Sequence, residues 1–336
     1  MAMFSFAEGV LPAGAVVSRA AGPYSFTGSN GLIQFGSAAN VARIDFDPVS
    51  RVCRGLLLEP PRTNYLVSDA ATIPLSSNIG SSWVANTGIA PDGTMTADRM
   101  VNTNANASHG FELRASSSRP AGALTFSAYA QVSGLPRLGL RTYDGAKYFH
   151  RGTFDLTTAK VVSLGGTGTA AIVDSGGGRY RCSTSGTSGA AVLNFIIEAG
   201  TSAWLVQQIS QGDGVAGVYV SGVQLEDGLV ATSLILAPTA PATRPGESLW
   251  LNWAAQGIAD GLYSVLYTFA DGSMQAIEQQ VTGGASTVSA TSLKSYTIRS
   301  ASILQTPAAR SVTIGDRALR STTLTDIGSR AAIILN

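Results

Sequence analysis

Apolar side chains recur at every second residue through the middle of this chain. The clearest run spans residues 124–132, where Leu124, Phe126, Ala128, Ala130 and Val132 alternate with Thr125, Ser127, Tyr129 and Gln131. That period belongs to a strand with one face on a core. Shorter runs predict strands at 32–35, 41–46, 138–143, 146–154, 160–164, 179–184, 190–198, 203–209 and 217–225. Turn signals separate them. Asp144-Gly145 stands between two strand candidates, the pairing that favours a two-residue hairpin, and Gly176-Gly177-Gly178 marks another turn. So many short strands in one block predict antiparallel sheets stacked as a sandwich or jelly roll.

The chain divides by its punctuation. Residues 1–66 are turn-rich, and the apolar run Gly55-Leu56-Leu57-Leu58 is ended by Glu59-Pro60-Pro61, where two prolines force an extended path. Residues 238–246, PTAPATRPG, form a Pro-rich break and a plausible boundary. A second β block follows, with strands expected at 249–253, 262–269, 273–281 and 295–304. Asp271-Gly272 joins two of these. The apolar Ile333-Ile334-Leu335 near the end of the tail is expected to dock on a core or a neighbour.

Composition narrows the function classes. Of 336 residues, 45% are hydrophobic, enough for sizeable cores. Only 13% are charged, and 22 Lys and Arg against 21 Asp and Glu leave a net charge of +1. No long-range field steers such a chain to nucleic acid or to anionic lipid. The start, MAMFSFAEGV, lacks the basic region and apolar core of a cleaved signal, and no stretch approaches a membrane span, so the expectation is a soluble product that no cleaved signal exports. Cys53 and Cys182 lack metal or redox spacing and read as buried free thiols. With only His109 and His150, His-based zinc sites and triads have little room.

Three segments carry a resemblance. They are Gly55-Leu56-Leu57-Leu58-Glu59-Pro60-Pro61-Arg62-Thr63-Asn64-Tyr65-Leu66 with its lead-in 40–48, then Trp83 with 90–99, and 218–228 with Ala231-Thr232-Ser233, closing on Thr243-Arg244. Together they resemble bacteriophage virion proteins of the spike and fibre type, in which a Gly-Leu-Leu-Ile-Glu-Pro-x-Arg-Thr-Asn signature precedes a block similar to jelly-roll carbohydrate-binding modules. The resemblance covers residues 30–246 and fits a head spike, a tail fibre or the spike of a gene transfer particle. It implies a jelly roll at 67–246, and with the strand pattern on either side the expected organisation is all-β: a turn-rich segment for attachment or assembly at 1–66, that jelly roll, and a smaller β-sandwich-like domain at 247–336, which the resemblance does not reach.

The Asp144-Gly145 hairpin offers a candidate sugar site. A two-residue turn would pair Tyr143 with Ala146, Arg141 with Tyr148 and Gly139 with His150, gathering Arg141, Tyr143, Tyr148 and His150 on one solvent-facing side. Leu138, Leu140 and Phe149 would face the core. Sugars stack their C–H faces on aromatic rings, and an Arg can hold an acidic sugar through two parallel hydrogen bonds. Trp204 is a further stacking candidate, although packing is the favoured role for it and for Trp83. Trp250 and Trp253, three apart on a strand, point to opposite faces, which leaves one for solvent. Glu59 and Glu226 are expected to pair with Arg62 and Arg244, tying together the ends of the jelly roll.

Catalytic motifs do not appear. There is no Gly-x-Ser-x-Gly elbow or His-Glu-x-x-His helix, and Gly165-Gly166-Thr167-Gly168-Thr169 lacks the Lys of a phosphate loop and reads as a turn. No cofactor is expected. The metal is left undecided, since sugar-binding jelly rolls often hold calcium but no dense Asp/Asn loop with calcium spacing is present. The expected function is non-catalytic adhesion of a virion to host surface polysaccharide, by a homo-oligomer in contact with other virion proteins. A purely architectural spike base or connector and a tail-tip depolymerase are the alternatives.

Overall fold

The computed structural model describes residues 2–68, 75–119, 121–143, 148–188, 192–202, 209–304, 312–314 and 322–324. The protein is all-β, built of multiple antiparallel sheets. Helix among the described residues is confined to two 3-10 turns, Ala254–Gln256 and Ala290–Ser292. None is long and apolar enough to cross a membrane.

Two six-stranded sheets form the larger unit. One runs, in spatial order, Lys160–Gly166, Tyr148–Asp155, Arg137–Tyr143, Val192–Gly200, Gly110–Arg119 and Leu75–Ile79. The other runs Thr169–Asp174, Arg179–Ser188, Gly122–Ser133, Gly217–Asp227, Ala97–Asn102 and Ser81–Gly88. The alternation at 124–132 is realised: Leu124, Phe126, Ala128 and Ala130 enter the core between the sheets, with Leu138, Leu140, Phe154, Phe195 and Leu225. Thr125, Ser127 and Tyr129 are also buried, although they take the other face. Flanking segments cover part of that face: Leu234 and the Tyr129 ring meet beside Gly222, and Ser68 donates to the Val223 carbonyl at 2.8 Å.

A second sandwich has its own core of Phe4, Phe6, Val17, Leu56, Leu249, Leu251, Trp253, Val265, Tyr267 and Phe269. Its larger sheet orders Met274–Val281, Gly261–Phe269, Thr297–Leu304, Cys53–Leu57 and Arg43–Phe46, with Met3–Ser5 also paired to Thr297–Leu304. Its smaller sheet orders Ala15–Ser18, Ser248–Asn252 and Ala285–Ser289. The expected division into a segment 1–66 and a separate domain 247–336 is therefore not how the strands pair: both contribute to one core. Gly55 makes this junction possible. Its φ is +126°, and a Cβ there would lie 2.1 Å from the Ile298 carbonyl oxygen. The Pro-rich stretch 238–246 is a tie as well as a boundary, since Ala242–Arg244 pairs with Arg62–Asn64.

Cys53 and Cys182 are both free, Cys182 buried and Cys53 half-buried. Asp271-Gly272 closes a hairpin in which the Gly272 N–H donates to the Phe269 carbonyl at 3.0 Å. The glycine-rich stretch 165–169 turns between strands, and Gly176–Gly178 turn with positive φ throughout. Trp83 packs edge-on against Phe111 at 4.9 Å and donates to Asp98 at 2.9 Å, so it serves the core. The expected strand 203–209 lies almost wholly outside the described residues, as do Trp204, the Asp144-Gly145 turn and Ile333-Ile334-Leu335. Only Val312–Ile314 and Thr322–Leu324, an antiparallel pair, are described in the tail.

Candidate functional site

A charged seam joins the two sandwiches. Arg43, on Arg43–Phe46, is fully buried and holds two carboxylates. Its Nη1 donates to Glu59 Oε2 at 2.7 Å and to the Ser25 carbonyl at 2.8 Å, while its Nε and Nη2 engage Glu247. Arg19 Nη1 reaches Glu247 Oε1 at 2.7 Å, and the Arg19 guanidinium lies 3.8 Å from the Tyr24 ring centre. Arg244 lies 3.2 Å from Glu59, and Arg62 lies 4.0 Å from Glu226. These are the pairings expected from the two motifs. Ser233 adds donors to both Glu59 oxygens at 2.7 and 2.6 Å. Burial alone would raise the Glu59 carboxyl, but Arg244, Arg43 and Ser233 hold it at about 2. Glu226 has Thr232 and Gln224 as donors, yet burial dominates and pushes its carboxyl up.

Beside this seam lies a cleft of about 310 Å³ between the sandwiches. One wall comes from Tyr24–Thr27, Arg43–Phe46 and Cys53–Leu57, the other from Tyr129, Asp174 and Arg181 of the larger unit, with 231–234 and Ser295–Thr297 closing the ends. Its polar groups are mixed in sign. Asp45 is buried and accepts from the Thr27 N–H at 2.9 Å, with Arg54 3.8 Å away; burial pushes its carboxyl up. Arg54, partly exposed at its tip, also pairs with Asp47 at 2.8 Å. Arg181 donates to Ser127 at 3.1 Å and lies 5.3 Å from the Tyr129 ring centre, and its Nε is buried without a partner. Tyr296 adds a half-buried phenol. The cleft thus offers guanidinium, carboxylate, hydroxyl and ring surfaces together, the mixture a polyhydroxylated ligand needs.

The sequence-derived hairpin site is arranged differently. Strands Arg137–Tyr143 and Tyr148–Asp155 do pair, but Tyr143 faces Tyr148, Thr142 faces His150 and Arg141 faces Arg151. Tyr143 thus pairs two places, and Arg141 three places, from the expected register; the extra place comes from a bulge between Thr142 and Tyr143, which changes the face that later residues take. Arg141 and His150 therefore occupy opposite faces. Arg141 is only 2% exposed and donates to Glu198 at 2.7 Å. His150 is buried on the Leu140 face, where a Cβ on Gly186 of the facing sheet would lie 2.9 Å from its ring. Tyr143 is half-buried, and the side chain of Tyr148 lies outside the described residues. The solvent-facing quartet expected at this hairpin is not formed.

Burial pushes the His150 imidazole down to about 3. The unfolded chain takes up this proton near pH 6.5, the folded protein only near 3, so stability falls as pH drops through that window, by up to about 1.4 kcal/mol per unit. The melting midpoint of the wild type is expected to drop more between pH 7 and 4 than that of His150→Gln. Parallel drops would contradict the buried, neutral imidazole.

Among the described residues no three His, Cys, Asp or Glu side chains converge on a point that could hold a metal ion. The dispersed residues of the cleft were missed by sequence reasoning, and the signal that could have found them is the charged set Arg43, Glu59 and Arg244 in a charge-poor chain. Neither a family model nor a curated protein matches this chain.

Proposed function

We propose that this chain is a virion spike or fibre protein that attaches a phage, or a phage-like gene transfer particle, to host surface polysaccharide without cleaving it. The observation that carries this reading is the inter-sandwich cleft, lined by Arg54, Arg181, the Tyr129 ring and the carboxylates of Asp45 and Asp174. Its size falls at the lower end of the range for small-ligand pockets and suits a short stretch of saccharide. Binding is favoured over hydrolysis because the sequence singles out no carboxylate pair for acid–base work on a glycosidic bond.

The larger unit is a jelly roll in this reading. The chain crosses repeatedly between its sheets, from Gly110–Arg119 to Gly122–Ser133 and back to Arg137–Tyr143, as such folds require. The resemblance over residues 30–246 supports a place on the virion, among other structural proteins. Weak single-site contacts suit a homo-oligomer, where several copies on one particle raise the apparent affinity on the order of 10²-fold or more.

The test is a titration of purified protein with oligosaccharides released from the host surface. Arg181→Ala is expected to weaken binding about tenfold, about 1.4 kcal/mol, with little change in melting temperature. Wild type that binds no host glycan would instead assign the chain an architectural role, as a spike base or connector.

A further inference from the structure

The smaller sandwich carries an aromatic feature the cleft does not use. Strand Ser248–Asn252 alternates, with Leu249 and Leu251 in the core and Trp250 outward, 37% exposed. Trp253, three residues on, is fully buried against Phe4 at 4.8 Å and donates to Ser286 at 2.9 Å. The two indoles divide the labour as their spacing requires. Trp250 lies in an open groove of about 590 Å³, lined also by Glu278, Gln280, Thr287, Ser289 and Ser292. The pairing register sets Val16, Trp250 and Thr287 side by side across the three-stranded sheet. Among the described residues no acceptor meets the Trp250 indole N–H.

A large apolar ring costs free energy in water, yet here one stands open on a polar floor. The lining is mostly hydroxyls and amides, unlike the apolar centre of a protein interface, where aromatic anchors are surrounded by other apolar groups. A flat ring with exposed Val16 on one side and Thr287 on the other, above a lining rich in hydroxyls and amides, matches the alternating C–H faces and hydroxyls of a sugar chain. The groove differs from the cleft in charge. Its one ionisable lining group is Glu278, which with no cation beside it disfavours an acidic sugar, whereas the cleft sets Arg54 and Arg181 among Asp45, Glu59 and Asp174. We infer that the Trp250 groove is a second saccharide site, specific for neutral sugar chains. It shares no lining residue with the cleft.

The experiment is a two-dimensional NMR titration of the full chain, labelled with nitrogen-15, using cellohexaose, maltohexaose and chitohexaose as neutral probes and hexagalacturonate as the acidic one. At least one neutral probe is expected to shift the Trp250 indole N–H and the Thr287 amide saturably. Trp250→Ala, whose spectrum should otherwise stay folded because the side chain is exposed, is expected to weaken the Thr287 response at least tenfold. Arg181→Ala, which disables the cleft, is expected to leave it unchanged. The inference is overturned if none of the three neutral probes gives a saturable shift, if Trp250→Ala responds like wild type, or if hexagalacturonate binds the groove as tightly as the neutral probes.

Discussion

Arg43→Met is expected to destabilise the protein by about 3–5 kcal/mol, the largest effect of any single charge removal here. Arg43 is fully buried and is shared by Glu59 and Glu247. Methionine fills much of the volume but supplies no donor, so two carboxylates lose their common partner where water cannot replace it. Arg244 would still meet Glu59 and Arg19 would still meet Glu247, which keeps the cost from rising further. Arg43→Lys retains the charge without the planar fork and is expected to fall between the two. Urea unfolding of the three proteins checks the order, and a Met variant within 1 kcal/mol of wild type would show that the seam is not a clamp. The same seam confers acid sensitivity. Glu59 sits at about 2 in the fold against an ordinary 4.5, so its stabilisation is complete above pH 4.5 and is lost as pH falls toward 2.

Gly55→Ala comes next, at on the order of 3 kcal/mol or more, from two causes acting together. The φ of +126° is unfavourable for any L side chain, and the added methyl would meet the Ile298 carbonyl at 2.1 Å. The carbonyl has little room to retreat, because Thr297 and Ile298 are in register with Leu57 and Leu56. The strand at 53–57 would have to part from the one at 297–304, opening the smaller sandwich where the N-terminal and C-terminal portions meet. Limited proteolysis and thermal unfolding both report this. A variant as resistant and as stable as wild type would contradict the pairing.

These effects also mark what the sequence could and could not reveal. Local periods were legible. The alternation from Leu124 to Ala130 identified the core face, and Asp271-Gly272 placed a hairpin, because both signals depend on neighbours a few residues apart. That Glu59 and Glu226 would pair with Arg62 and Arg244 was legible for a different reason, since a buried carboxylate in an apolar run needs a partner, but which arginine meets which glutamate was not.

The hairpin at 138–154 was only half legible. Its strands were found, but side chains alternate with period two, so one bulged residue is enough to send His150 inward and separate it from Arg141. Turn chemistry alone does not encode that bulge. The smaller sandwich was hidden because its strands at 3–5 and 53–57 meet the strand at 297–304 across 240 to 299 residues, and no local pattern says which distant edges will meet. The cleft inherits that difficulty, since its walls come from residues as far apart as Ser25 and Thr297.

The proposed attachment role requires that the protein hold glycan and leave it whole. Co-sedimentation of the purified protein with intact host surface polysaccharide, followed by sizing of the recovered polymer, tests this most directly. The expected result is polymer carried down with the protein at unchanged chain length and with no new reducing ends. Shortened polymer, or polymer left entirely in the supernatant, would contradict it.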